Sequence, residues 1–264
     1  MKLGFIGTGN MASAIMGGVI GKGLFKPEEI IGADLFAPGR ERAREQFGIQ
    51  VTADNKEVVK NAEVIILSVK PQFYAEVIAG IRDEMTDDKI IITIAPGKTL
   101  SWLAEQFGKA VKIVRTMPNT PAMVGAGMTA ACPNEHMTEE GTARVKEILE
   151  SFSKVEFVPE KLMDVVTAVS GSSPAYVYMF IEAMADAAVS GGMPRAQAYQ
   201  FAAQAVFGSA KMVLDTGKHP GELKDMVCSP AGTTIGAVRT LEEKGFRSAV
   251  IEAMKVCEEI SKSM

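Results

Sequence analysis

The first half of the chain alternates two patterns of hydrophobic positions. Short unbroken apolar runs occupy 2–7, 30–34, 63–69, 89–94, 111–115 and 128–131. Between most of them, at 10–22, 40–47, 71–85 and 100–107, apolar residues recur every three to four positions, the period of an amphipathic helix. Strands that are apolar on both faces and alternate with helices predict a mostly parallel, doubly wound sheet. Beyond residue 158 the strand pattern stops. Helical periodicity runs over 161–190, 194–215, 221–227, 233–244 and 246–261, broken by the glycines and Pro194 of 191–194 and by Gly217 and Pro220. The expected architecture is therefore an α/β domain over 1–158 followed by an all-α domain over 159–264. Segments 183–188 and 201–210 are rich in Ala, Met and Phe and carry few charges, so they are apolar on more than one face. A helical domain of that kind leaves much apolar surface wet, which predicts a homodimer formed through it.

Composition narrows the partners. The chain has 264 residues, 47% hydrophobic and 23% charged, with a net charge of −4. That balance is ordinary for a globular protein and gives no pull toward nucleic acid or an anionic membrane. No apolar run is long enough to span a bilayer, and Gly7 and Gly9 break the first run too early for a secretory signal. Cys132, Cys228 and Cys257 are odd in number and lack metal-ligand spacing. Neither a disulfide framework nor a metal site is expected, and a cytoplasmic location is.

Candidate chemistry concentrates at two places. Gly7, Thr8, Gly9, Asn10, Met11 and Ala12 form G-x-G-x-x-A directly after a strand and at the start of a helix. The first glycine permits the tight turn, the second lets a pyrophosphate approach the backbone, and Ala12 allows the helix to pack closely on the strand. This makes the N-terminal domain Rossmann-like, with NADPH or NADH as cofactor. Asp34 ends the second strand, where a carboxylate would bind ribose hydroxyls and repel a 2′-phosphate. Arg40 and Arg42 follow closely and could accept that phosphate instead, which leaves the choice of cofactor open. Ser68, Val69, Lys70 and Pro71 lie at the carboxyl end of another strand, where open α/β sheets bind ligands. Asn119 and Thr120, flanked by Pro118 and Pro121, form a rigid turn that suits either the nicotinamide side of the site or structure alone. The second place is the segment 229–234. Ser229, Gly232, Thr233 and Thr234 sit at the start of a helical pattern and offer backbone N–H groups and hydroxyls to a small carboxylate. His136, in a polar run, and His219, before a proline, read as structural.

Taken together these blocks resemble the pyrroline-5-carboxylate reductase family. The resemblance covers nearly the whole chain and rests on 5–12, 69–71, 115–122, 170–176 and 219–242. It implies reduction of 1-pyrroline-5-carboxylate to L-proline, the last step of proline biosynthesis. It places the carboxylate and ring nitrogen of the substrate on Ser229, Gly232, Thr233 and Thr234, with Glu160 close by. Gly7 to Met11, Asn55 and Ser68 to Pro71 inherit cofactor contacts. Ala231 departs from the family, which usually has a glycine there, and Met226 replaces a polar residue found in some members. The resemblance also implies a homo-oligomer, in some members a pentamer of dimers.

The mechanism implied is hydride transfer to an imine that is already protonated, with the protein mainly positioning the reactants and the Thr234 hydroxyl at the ring nitrogen. Two other readings compete. The 3-hydroxyacid dehydrogenases share the two-part layout but carry a lysine and an asparagine early in the helical part, and 170–188 contains neither. A non-enzymatic dinucleotide sensor would have no use for a carboxylate cradle.

Overall fold

The computed structural model describes residues 2–264. Eight strands among these residues form one sheet: β1 Leu3–Ile6, β2 Ile30–Ala33, β3 Gln50–Thr52, β4 Val64–Leu67, β5 Ile90–Thr93, β6 Lys112–Met117, β7 Gly127–Pro133 and β8 Ser153–Phe157. Their order is β3-β2-β1-β4-β5-β6-β7-β8. Every pair is parallel except β6 with β7. The helices of the sheet unit are α1 Asn10–Gly21, α2 Ala37–Phe47, α3 Asn55–Asn61, α4 Tyr74–Ile81, α5 Leu100–Phe107, α6 Glu139–Glu150 and α7 Met163–Val166. Then follow α8 Ser173–Ser190, α9 Arg195–Thr216, α10 Pro220–Val227, α11 Thr233–Glu243 and α12 Phe246–Lys262. No described helix is long and apolar enough to cross a membrane.

The central strands are buried on both faces, as their unbroken apolar runs require. Leu3, Phe5, Ile66 and Ile92 join α1 and α6 in one core layer, while Ile6, Ile65, Leu67 and Ile91 join α3, α4 and α5 in the other. The sheet order reverses at β1 and β4, which lie side by side although β2 and β3 separate them in the chain. A crevice opens there beyond the carboxyl ends of the strands.

The chain divides into two compact units, residues 1–172 with 257–264 and residues 173–256. The strand pattern thus ends at β8, but the sheet unit continues past the textural change at residue 158. Met163 is buried against Ala130 and Cys132 of β7, and the buried Ser261 donates a hydrogen bond to Asp164 Oδ1 at 2.7 Å. The single helix expected over 161–190 is interrupted. A 3-10 turn at Glu160–Leu162 leads into α7, then a π turn at Thr167–Gly171, then α8. The Ser172 amide donates to the Thr167 carbonyl at 2.8 Å, the longer loop of a π turn. Likewise the helix expected over 71–85 has 3-10 turns on both sides of α4.

The second unit buries little. Its fully buried apolar residues are Ala185, Ala198 and Ala202, small side chains that let α8 and α9 pack closely. Phe201, Phe207 and Leu214 are each at least 60% exposed, alongside Tyr178, Met179 and Ile251. This is the wet apolar surface that the composition of these helices predicts.

Candidate functional site

At the crevice, the glycine turn is held by backbone and side-chain bonds. The Gly7 amide donates to Ala33 O at 2.7 Å, and the Ser68 amide donates to Ile6 O at 2.8 Å. Gly7 has φ +100, and a Cβ there would lie 2.6 Å from Ser68 O, so only glycine fits. Gly9 differs. It caps α1 in an extended conformation, no side chain caps the helix, and an added Cβ would meet nothing within 4 Å. The first amides of α1, at Asn10 and Met11, therefore have no side-chain cap, and the space beside Gly9 is open, which suits an anion. This fits the pyrophosphate of a dinucleotide.

Beside the turn lies a cleft of about 570 Å³ lined by Gly7, Asp34, Phe36, Asn55, Val69 and Phe73, among others. Asp34, Asn55 and Val69 line this cleft, and Ser68, the exposed Lys70 and the half-buried Pro71 adjoin Val69 in the chain. Two of these side chains already have partners. Asp34 Oδ2 accepts from the buried Thr8 through its amide at 2.8 Å and its hydroxyl at 3.0 Å, and Asp34 Oδ1 accepts from the Phe36 amide at 2.9 Å. Ser68 Oγ donates to Gly7 O at 2.7 Å. Both therefore shape the turn. Arg40 folds over the same loop, its Nη1 donating to the carbonyls of Asp34 and Leu35.

In the second unit, Gly232 caps α11 with extended backbone, again without a side-chain cap. The amides of Thr233 and Thr234 are the first of that helix, and the Gly232 amide donates to Ser229 O at 3.0 Å. An added Cβ at Gly232 would lie 2.3 Å from Ser229 Oγ. Ala231 has φ +54, the one non-glycine residue with positive φ among the described residues. The substitution noted in the sequence thus falls where the backbone is left-handed, a conformation costing an L-residue about 1 kcal/mol or more. A shallow depression over Ala231, Gly232, Ile235, Gly236 and Arg239 lies at this helix start. His219 is the cap of α10, its Nδ1 accepting from the Gly221 amide at 3.0 Å, which is a structural role.

Glu160 sits in the sheet unit. Its Oε1 accepts from the Leu100 amide at 2.6 Å and from Arg115 Nη1 at 2.9 Å, with Arg115 almost completely buried. Asn119 fastens its turn internally. Its Oδ1 accepts from the Met128 amide at 2.9 Å, and its Nδ2 donates to Ser170 at 3.3 Å. Burial and the neighbouring Glu160 push the Cys132 thiol above its usual range, which keeps it unreactive. Sequence reading gave no role to Arg115 or Tyr74. The signal for Arg115 is a charge inside an otherwise apolar strand. For Tyr74 it is a hydroxyl-bearing residue in line with Ile78 and Ile81 on one buried helix face.

An open helix start at the switch point of a doubly wound sheet, joined to a helical second unit, is the layout of the dinucleotide-dependent oxidoreductases. Residues 2–97 match the family model described as NADP oxidoreductase, coenzyme F420-dependent. Residues 160–264 match the one described as pyrroline-5-carboxylate reductase dimerisation. The chain is 54% identical over 266 residues to the pyrroline-5-carboxylate reductase of Escherichia coli (strain K12), covering 100% of this chain and 98% of the relative. It is 43% identical to the reductase of the same name from Methanosarcina acetivorans, over 100% of this chain and 97% of the relative. A crystal structure of Plasmodium falciparum pyrroline carboxylate reductase with NADP bound superposes with a TM-score of 0.92 at 32% identity, covering 100% and 97% of the two chains. The chain belongs to the pyrroline-5-carboxylate reductase family.

Proposed function

We propose that this protein reduces 1-pyrroline-5-carboxylate to L-proline with a reduced nicotinamide dinucleotide. The observation that carries the reading is the pair of uncapped helix starts, one at Gly9 in the sheet unit and one at Gly232 in the helical unit. Each offers bare helix-start amides to an anion, a pyrophosphate at the first and a carboxylate at the second. When bound, the nicotinamide supplies hydride to the imine carbon.

The chain's own residues bind and orient. Asn10 and Met11 receive the pyrophosphate on their amides, Gly7, Thr8 and Gly9 form the turn beneath it, and Asn55, Ser68, Val69, Lys70 and Pro71 make the rest of the cofactor edge. Thr233 and Thr234 hold the substrate carboxylate through their amides, Ser229 and Gly232 shape the loop, and the Thr234 hydroxyl meets the ring nitrogen. A protonated cyclic imine is electrophilic enough to need positioning more than acid catalysis, and these neutral groups suit that task. The Glu160 carboxylate is held by the Arg115 guanidinium, which balances its charge, and by the Leu100 amide.

The Asp34 carboxylate is engaged by Thr8 and Phe36, so the acidic contact that would favour an unphosphorylated ribose is reduced, and Arg40 brings positive charge to the same loop. This supports NADPH as the preferred cofactor. Assembly is a homodimer through the exposed apolar helices of residues 173–256, with a pentamer of dimers as the next level, in the cytoplasm. Loss of reduced-nicotinamide absorbance, followed in parallel with NADPH and NADH on pyrroline-5-carboxylate, tests the reaction and the preference. No turnover with either cofactor refutes the reading. Light scattering on the purified protein tests the assembly.

A further inference from the structure

At the carboxyl edge of the sheet stands a buried polar side chain with no part in the reaction above, the phenol of Tyr74. Tyr74 is the first residue of α4 and has no exposed surface. Its ring belongs to the core layer of Leu67, Ile78, Ile91 and Leu103. Its hydroxyl donates to Leu67 O at 2.5 Å and accepts from the Ile94 amide at 3.3 Å. Leu67 is the last residue of β4, and Ile94 follows the last residue of β5. The final paired position of these two strands is Leu67 with Thr93.

The hydroxyl is therefore inserted between a carbonyl and an amide at the facing ends of adjacent strands. There the two would otherwise be free to pair directly and extend the ladder. With the hydroxyl between them they stay apart, and each is satisfied without the other. The same bond has a second effect. Ser68, Val69, Lys70 and Pro71 lie between Leu67 and Tyr74 in the chain, so the phenol also clips this loop shut at its base. Burial holds the phenol well above its usual pKa, so it stays protonated and the clip does not open with pH.

We propose that Tyr74 is a positioning residue for the cofactor: its hydroxyl wedges the ends of β4 and β5 apart and fixes the loop 68–71 at the crevice edge. This rests on the assignment of 68–71 to cofactor contacts. A phenylalanine at 74 keeps the ring in the core but removes the wedge, and the Leu67 carbonyl and Ile94 amide then close on each other or stand unpaired. Either way the loop loses its setting.

The test uses the full-length protein, with NADPH binding followed by fluorescence and turnover by steady-state kinetics. Tyr74→Phe is expected to weaken NADPH binding about tenfold, in line with the loss of one buried hydrogen-bonding group. kcat at saturating NADPH and KM for pyrroline-5-carboxylate stay within about twofold, since the substrate's own contacts lie elsewhere. Ile78→Val, in the same helix and equally buried, removes one methylene from the same core without touching the loop, and is expected to leave NADPH binding unchanged. Equal weakening in Ile78→Val and Tyr74→Phe would show a general core effect and overturn the proposal. Unchanged binding in Tyr74→Phe, with strong loss in Gly9→Val, would overturn it while leaving the cofactor assignment standing. Unchanged binding in both would overturn the assignment and the proposal with it.

Discussion

The starts of α1 and α11 look alike and are built for opposite reasons. Both are capped by a glycine in extended backbone with no side-chain cap, and both present bare amides. At Gly9 an added Cβ would meet nothing; at Gly232 it would collide with Ser229 Oγ. The missing side chain at Gly9 leaves room for something that is not protein. The missing side chain at Gly232 leaves room for the protein's own loop, which must fold tightly before it can present its amides. Glycine at a helix start thus has two meanings, and only the surroundings in the fold tell them apart.

The same kind of substitution at both positions should separate them. Gly9→Val is expected to fold normally, because the space is open and the backbone is extended, yet to weaken NADPH binding by about 3 kcal/mol, roughly 100-fold, through loss of bonds to a charged group. Calorimetric binding beside thermal unfolding checks both halves, and an unfolded Gly9→Val would break the contrast. Gly232→Ala should do the reverse. Ser229 must move, which costs about 2 kcal/mol in loop strain, read as a lower unfolding temperature and a higher KM for pyrroline-5-carboxylate at unaltered NADPH affinity. Thr234→Ala leaves the backbone of α11 intact and removes only a hydroxyl. Its cost of about 1–2 kcal/mol should fall on kcat/KM for the imine, and undiminished catalytic efficiency would remove Thr234 from the site. Smallest is Ala231→Gly, which relieves a left-handed alanine but adds freedom to the unfolded chain. Urea unfolding should show stabilisation below about 1 kcal/mol.

What the sequence reveals depends on whether the cause is local. β1, β4 and β5 are legible because burial on both faces leaves unbroken apolar runs. β3 and β8 lie at the two edges of the sheet, and their exposed residues, among them Gln50, Lys154 and Glu156, interrupt any such run. α6 carries a local signal of its own: Thr138 caps it by accepting from the Gly141 amide, and Glu139 and Glu140 fill its first turn. The glycine turn is legible because its geometry is made by adjacent residues. The state of Asp34 is not, because its partner Thr8, 26 residues away, is brought to it only by the meeting of β1 with β2. Glu160 likewise reads as a free carboxylate until the fold brings Arg115 and Leu100 to it. Thr233 and Thr234 announce a helix start, but the left-handed Ala231 just before them is visible only in the backbone.

The scant interior of residues 173–256 has a consequence for the protein as a population. Helices whose aromatic and aliphatic side chains lie outside draw their stability from association, so the folded fraction follows mass action. Dilution then acts as a mild denaturant, and the melting temperature climbs with the logarithm of concentration. A cell that makes little of this enzyme holds a less durable version of it than one that makes much, with no change in a single residue.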